Sequence, residues 1–243
     1  MKNVFILFCF SFCLLSARGQ NEKNIVVDAN AEVRAVSGFS AIEVSGTIDL
    51  YLSQGSEEAV AISASSEEIR QRMRTEIRGN TLLIYLDGKG LNWKKWVNHK
   101  MKAYVTFKTL KRLEASGACN VKATEPIRQD ELKMELSGAS DFTGELNLKT
   151  LRVDASGASN AKLSGVADDV NITASGACNL KAYDLKTIMC KTEASGASHI
   201  RITVDKELNA NASGGSTIFF KGNGLIRDIS ASGGASVKRR TDD

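Results

Sequence analysis

Two groups of residues are equipped for recognition chemistry. Both tryptophans of the chain, Trp93 and Trp96, stand between Gly88 and Lys100, with Lys94, Lys95, His99 and Lys100 around them. An exposed indole offers a flat stacking face for a sugar ring or a protein hot spot. The alternative is that both rings pack on the body of the protein while the lysines are solvated. The second group is Lys122, Lys162, Lys181, Arg201 and Lys238, each six residues after the serine of a recurring Ser-Gly phrase. Like charges directly opposite one another on a sheet are unfavourable. Such a column suits an anionic partner such as an acidic polysaccharide; otherwise it is a solubilising face whose long side chains splay. The candidate ligand-binding set is therefore Trp93, Lys94, Lys95, Trp96, Lys162, Lys181 and Arg201.

Catalytic chemistry is poorly represented. Ser159-x-x-Lys162 has the spacing of a penicillin-binding-type nucleophile, but that motif belongs on a helix and its partner motifs are missing. There is no Gly-x-Ser-x-Gly elbow and no phosphate loop. With His99 and His199 as the only histidines, no His-rich metal cluster is expected. Asp168-Asp169 is the one adjacent aspartate pair before the tail and reads as a solvated turn. We therefore expect no catalytic residue, no metal, no cofactor and no disulfide.

What must position the basic column is a repeat. Ser-Gly recurs at Ser116, Ser137, Ser156, Ser175, Ser195, Ser213 and Ser232, in steps of 21, 19, 19, 20, 18 and 19 residues, with an early copy at Ser45. A near-fixed short period is the mark of a stacked architecture. Before the serine stand Leu151, Val153 and Ala155 in one repeat and Val170, Ile172 and Ala174 in the next; after it stand Ala161 and Leu163, then Leu180 and Ala182. This period of two predicts strands with one buried face. So long a strand must bend, and glycine, free of a Cβ, is the residue to bend it. Two strands flanking that corner and a third short wall make one coil of a parallel β-helix, an all-β solenoid of about 19 residues per coil. The usual crossover rule favours a right-handed coil. Three residues after each serine the column is small and inward: Cys119, Ser140, Ser159, Cys178, Ser198, Ser216 and Ala235. Four after, Asn120, Asp141, Asn160, Asn179 and His199 predict an outward amide ladder. Two further outward columns compensate each other: Arg112, Lys133, Arg152 and Lys191 against Glu114, Glu135, Asp154 and Glu193.

The chain divides accordingly. Residues 1–19 read as a signal peptide, with Lys2, an apolar run from Val4 to Leu15, and Ala17-Arg18-Gly19 as the cleavage region. That run is too short to span a membrane comfortably, so no span is expected after cleavage. An extension, 20–35, leads to an irregular capping part, 36–112, holding an early coil around Ser45, a short helix from Glu67 to Arg74 capped by Ser65 or Ser66, and strands at Thr81–Leu86 and Met101–Phe107. Seven Ser-Gly repeats fill 113–237, and 238–243 form a charged tail. Cys9 and Cys13 leave with the signal peptide; Cys119, Cys178 and Cys190 are expected to be free and mostly buried. A net charge of +4 does not call for a nucleic-acid partner.

The opening Val36-x-x-Phe39-x-x-Ile42-x-Val44-x-Gly46, the strand Leu50-Tyr51-Leu52 with Gln54-Gly55, and the serial Ser-Gly-Ala-Ser phrases resemble the head GIN domain of the autotransporter-adhesin family, exported proteins frequent in Bacteroidetes. The resemblance covers residues 36–237 and implies a β-helical fold, export and an adhesive role. It supplies no catalytic residue. The expected function is thus a non-enzymatic exported binding module recognising a glycan or surface protein at the cell envelope, in the periplasm or outside the cell. The alternatives are a carbohydrate-active, pectin-lyase-like enzyme on the same scaffold and an architectural envelope protein. The N-terminal reading is checked by intact mass: the exported protein should begin at Gln20.

Overall fold

The computed structural model describes residues 28–90 and 100–240. The proposed signal peptide, Trp93, Lys94, Lys95, Trp96 and His99, and the last three residues lie outside the described residues. After β1 (Glu32–Arg34), strands β2 (Ala41–Gly46) and β3 (Ile48–Gln54) flank the Gly46 corner, with Ile42, Val44, Ile48, Leu50 and Leu52 all fully buried. They are followed by β4 (Ala59–Ala64), helix α1 (Glu67–Arg72), β5 (Met73–Arg78), β6 (Thr81–Leu86) and β7 (Met101–Phe107). Ser66 is the helix cap, its side chain accepting from the Ile69 N–H at 3.4 Å. The sequence predicts helix as far as Arg74. It ends at Arg72 because Met73 turns into the core as an extended residue, its N–H bonded back to Arg70 and Ile69 carbonyls, and starts β5.

The repeats follow as β8 (Arg112–Gly117), β9 (Asn120–Ala123), β10 (Ile127–Leu136), β11 (Asp141–Ala155), β12 (Asn160–Ala174), β13 (Asn179–Ala194), β14 (His199–Ala212), β15 (Thr217–Lys221), β16 (Leu225–Ala231) and β17 (Ser236–Arg239). They stack as parallel coils of about 19 residues, some seven turns in all. The residues before each serine form a first wall, those after it a second, and a short stretch such as Leu146–Leu148 against Gly165–Ala167 a third. Adjacent exposed pairs, Lys149-Thr150 and Asp168-Asp169, mark the return from third wall to first. Equivalent positions stand in register: Val153 opposes Ile172, and both are fully buried. Large and small residues sit side by side in the core: Phe142 lies beside Ala161, and its ring fills the space a Cβ on Gly144 would need, 3.0 Å from that position.

The chain order at the capped end is less simple. β6 pairs with β2 in the first wall, β7 with β3 in the second, and β4 and β5 add antiparallel strands outside them. β8 then pairs with the opposite edge of β2, setting Ser45 against Ser116 and Gly46 against Gly117. The first coil is therefore enclosed between the cap and the second coil.

Each corner glycine has a positive φ, 98° at Gly46 and 73° at Gly157. At the six corners from Gly117 to Gly214 the next residue donates to the glycine carbonyl one coil back, as in Ala158 N–H to Gly138 O at 2.7 Å and Ala177 N–H to Gly157 O at 2.7 Å. A Cβ on Gly176 would lie 2.5 Å from the Gly157 carbonyl oxygen, and one on Gly157 would strike the Gly138 carbonyl; Gly46 has nothing within 4 Å. Gly46→Ala should thus be destabilised only by the left-handed strain it introduces, about 1–2 kcal/mol. Gly157→Ala should carry that strain and also lose the corner bond, about 3–5 kcal/mol in all. Denaturant midpoints of the two variants separate the contributions.

Candidate functional site

The outer face of the second wall brings three of the candidate residues into one line. Lys162 is directly opposite Lys181, and Lys181 opposite Arg201, on adjacent parallel strands. The column runs from Tyr104 through Tyr51, Lys122, Thr143, Lys162, Lys181, Arg201 and Phe219 to Lys238. Lys122, Lys162, Lys181 and Lys238 are exposed, and among the described residues none has a carboxylate within 4.0 Å. Arg201 donates to Asn179 Oδ1 at 2.8 Å, which holds its guanidinium along the wall. Neighbouring unit charges at the strand spacing of about 4.8 Å repel by roughly 1 kcal/mol in water.

The same face holds residues that the column did not reveal. Tyr183 on β13 lies within reach of Lys221, whose Nζ is 5.2 Å from the ring centroid, and burial raises the Tyr183 hydroxyl pKa against the opposing fields of Arg201, Arg240 and Lys221. Arg240 stacks over Phe219 at 4.4 Å. Cations and aromatic rings thus alternate around Arg201. Tyr183, Lys221 and Arg240 each stand eight residues after a serine, with Thr203 between Tyr183 and Lys221, a spacing present in the sequence but obscured because β13 bulges there and Lys186, not Tyr183, opposes Thr203. At the other end of the face Tyr51 and Tyr104 stack at 5.2 Å, and the Tyr104 hydroxyl donates to Asp28 Oδ2 at 2.9 Å. The amide ladder is a single step, Asn160 Nδ2 to Asp141 Oδ1 at 2.7 Å, because Arg201 captures Asn179.

The first wall is different. Arg112 meets Glu114 at 2.9 Å, Lys133 meets Glu135 at 2.7 Å and Asp154 at 3.8 Å, Arg152 meets Asp154 at 3.2 Å, and Lys191 meets Glu193 at 2.8 Å. Beside these pairs runs a shallow groove of about 220 Å³ lined by Glu114, Glu135, Asp154, Ser137 and Ser156. Burial, then the neighbouring Glu43, raise the Glu114 carboxyl, partly offset by Arg112. No group of three or more His, Cys, Asp or Glu among the described residues is arranged to hold a metal, and no described helix is long and apolar enough to cross a membrane.

With this geometry in view, the family can be given. Residues 38–224 match the model of the family described as "Putative auto-transporter adhesin, head GIN domain". The chain belongs to this family. No curated protein matches it. Its fold is that of a crystal structure named a putative adhesin from Bacteroides fragilis, with 22% identity, TM-score 0.79, and coverage of 86% of this chain and 96% of that one. A protein from Parabacteroides distasonis named a putative lipid binding protein is similar at 20% identity, TM-score 0.66, covering 88% and 98%. A putative adhesin from Parabacteroides merdae follows at 19% identity, TM-score 0.60, covering 87% and 95%. At such identities the likeness extends to fold alone.

The three thiols serve the scaffold. Cys119 and Cys178 donate to the Ser116 and Ser175 carbonyls at 3.3 and 3.2 Å, as the hydroxyl of Ser159 does to Ser156 at 2.8 Å. Among the described residues Cys119, Cys178 and Cys190 are buried and free. Burial pushes the Cys190 thiol up to about 12. The unfolded thiol ionises near about 8.5, so the folded state holds its proton where the unfolded state has lost it. This contribution to stability is complete below about pH 8.5 and disappears as pH rises toward 12. Wild type should therefore lose more melting temperature between pH 7 and 10 than Cys190→Ala, and native Cys190 should resist iodoacetamide at pH 8.

Proposed function

We propose that the protein is an exported, non-enzymatic adhesive module that holds an acidic polysaccharide along the outer face of its second wall. One observation carries this reading: Lys162, Lys181 and Arg201 are stacked in register without neutralising carboxylates among the described residues, whereas the cations of the first wall are paired off. A polymer with charges along its length supplies counter-charges to successive coils and relieves their mutual repulsion. Tyr183 and Phe219 add apolar faces for sugar rings beside Lys221 and Arg240. Export follows the family and the N-terminal sequence. The Trp93–Trp96 segment is a second contact in this proposal, on the strength of its composition alone.

The shallow carboxylate groove of the first wall favours a second reading, a polysaccharide-cleaving site in which Glu114, its carboxyl raised by burial, acts as the acid. Its carboxylates are largely engaged with Arg112, Lys133 and Arg152, which leaves it behind the first.

Binding to immobilised polyuronate, neutral dextran and phosphatidylglycerol vesicles separates the possibilities. Wild type should bind the polyuronate, more weakly as salt rises. The triple replacement Lys162→Ser, Lys181→Ser, Arg201→Ser should weaken binding on the order of tenfold. Undiminished binding by that variant would dismiss the basic face, and loss through Trp93→Ala, Trp96→Ala would move the site to the tryptophan segment. Vesicle binding in place of polyuronate would redirect the reading to a membrane surface. New reducing ends that vanish in Glu114→Gln would favour the enzyme.

A further inference from the structure

The two ends of the stack differ. At one, Ile69 and Met73 of the α1 region are buried in the core, and the outermost strands, β1 and β5, are short and charged. At the other, β16 and β17 form the last coil, and among the described residues no strand pairs with their outer edges. Leu225 is 70% exposed, Ile226 47% and Ile229 37%. Ile226 and Ile229 face the core side, since they sit in register with buried Leu208 and Ala210. An apolar, unpaired edge is a template for another strand.

Strand β16 is complementary to itself. Laid antiparallel on a copy with Ile226 opposite Ile229, it sets Arg227 opposite Asp228 and Leu225 opposite Ser230. Directly opposed residues must share a face of the sheet, and they do, because β16 bulges at Arg227, where Leu208 and Asn209 face Ile226 and Asp228: both isoleucines are core-facing, while Leu225 and Ser230 point outward with Glu207 and Asn211. A one-residue slip in either direction would oppose core-facing and outward residues. Arg227 already meets Glu207 at 3.1 Å, and Asp228 has no cation within 4.0 Å among the described residues. β17, with Lys238 and Arg239 followed by Arg240, would repel its own copy. A two-fold axis through the first wall exchanges the second and third walls, so the two β17 strands do not meet.

We infer that two copies join end to end through an isologous antiparallel pairing of β16 with β16, burying Ile226 and Ile229 and matching Arg227 to Asp228. The capped end cannot repeat the contact, so assembly closes at a dimer and does not grow into a filament. The inference is independent of what the basic face binds. Sedimentation velocity over a concentration series tests it. Wild type should be dimeric. Asp228→Arg, at an exposed position, should weaken association on the order of a hundredfold, and the exchange Arg227→Asp, Asp228→Arg should restore it. Wild type that stays monomeric at every concentration, or a dimer indifferent to Asp228→Arg, would overturn the inference. So would a monomer whose Ile226 and Ile229 amides exchange slowly, since another part of the same chain would then cover the edge.

Discussion

The hydrogen bond from the residue after each corner glycine to the glycine carbonyl one coil back sets the spacing of everything else. It forms at 2.7 Å at five successive corners, from Ala118, Ala139, Ala158, Ala177 and Ala197. Backbones approach so closely there that no side chain fits between them. With the corner fixed, the strands on both sides have no freedom to slip, because a shift of one residue would turn every apolar side chain outward. Cys119, Ser159, Cys178 and Ser216, three residues after their serines, close the corner from inside by donating to the serine carbonyl; Ser198 donates to the Gly176 carbonyl instead, and the buried Ser140 hydroxyl has no partner among the described residues. This explains why serine and cysteine interchange in that column while glycine does not interchange with anything.

Because register is fixed by the backbone, outward side chains are placed without being consulted. The two main walls use this in opposite ways. On the first, acid and base columns two residues apart neutralise each other within and between coils. On the second, the corresponding columns hold amides and cations, and the repulsion along Lys162, Lys181 and Arg201 is left to solvent, side-chain splay and the grip of Asn179. The scaffold is stable enough to tolerate a charged strip that contributes nothing to its own packing.

The repeat made most of the architecture legible. Val153 and Ile172, Ala155 and Ala174, and the inward Ser159 and Cys178 stand where the period places them. The helix boundary was less legible: Glu67 to Arg74 has helical propensity throughout, but burial of Met73 outweighs it. The amide ladder failed at Asn179 because a neighbouring guanidinium competes for its carbonyl, a contact that no column of like residues discloses. The cluster of Tyr183, Lys221 and Arg240 was not legible because the bulge after Ala182 takes Tyr183 out of the register on which the columns rely. The strand order within the capping part was hidden for another reason. Periodicity tells which strands neighbour one another, but it is silent on a non-repeating segment that doubles back to the far side of its predecessor.

That doubling back has a consequence for the order of events during folding. The later coils close over sequence separations of about one repeat, whereas β2 must wait 71 residues for its partner at Gly117 while also receiving β6 on its other flank. Loop closure over the longer distance carries the greater entropic cost, though the cost grows only slowly with length. In the stack, β2 and β3 are the layer from which two fronts extend: a short one that terminates in the cap, and a long one that adds coils one by one. Whole coils inserted or deleted in the long front leave that layer untouched, so the reach of the molecule can change in steps of one repeat while its origin stays fixed.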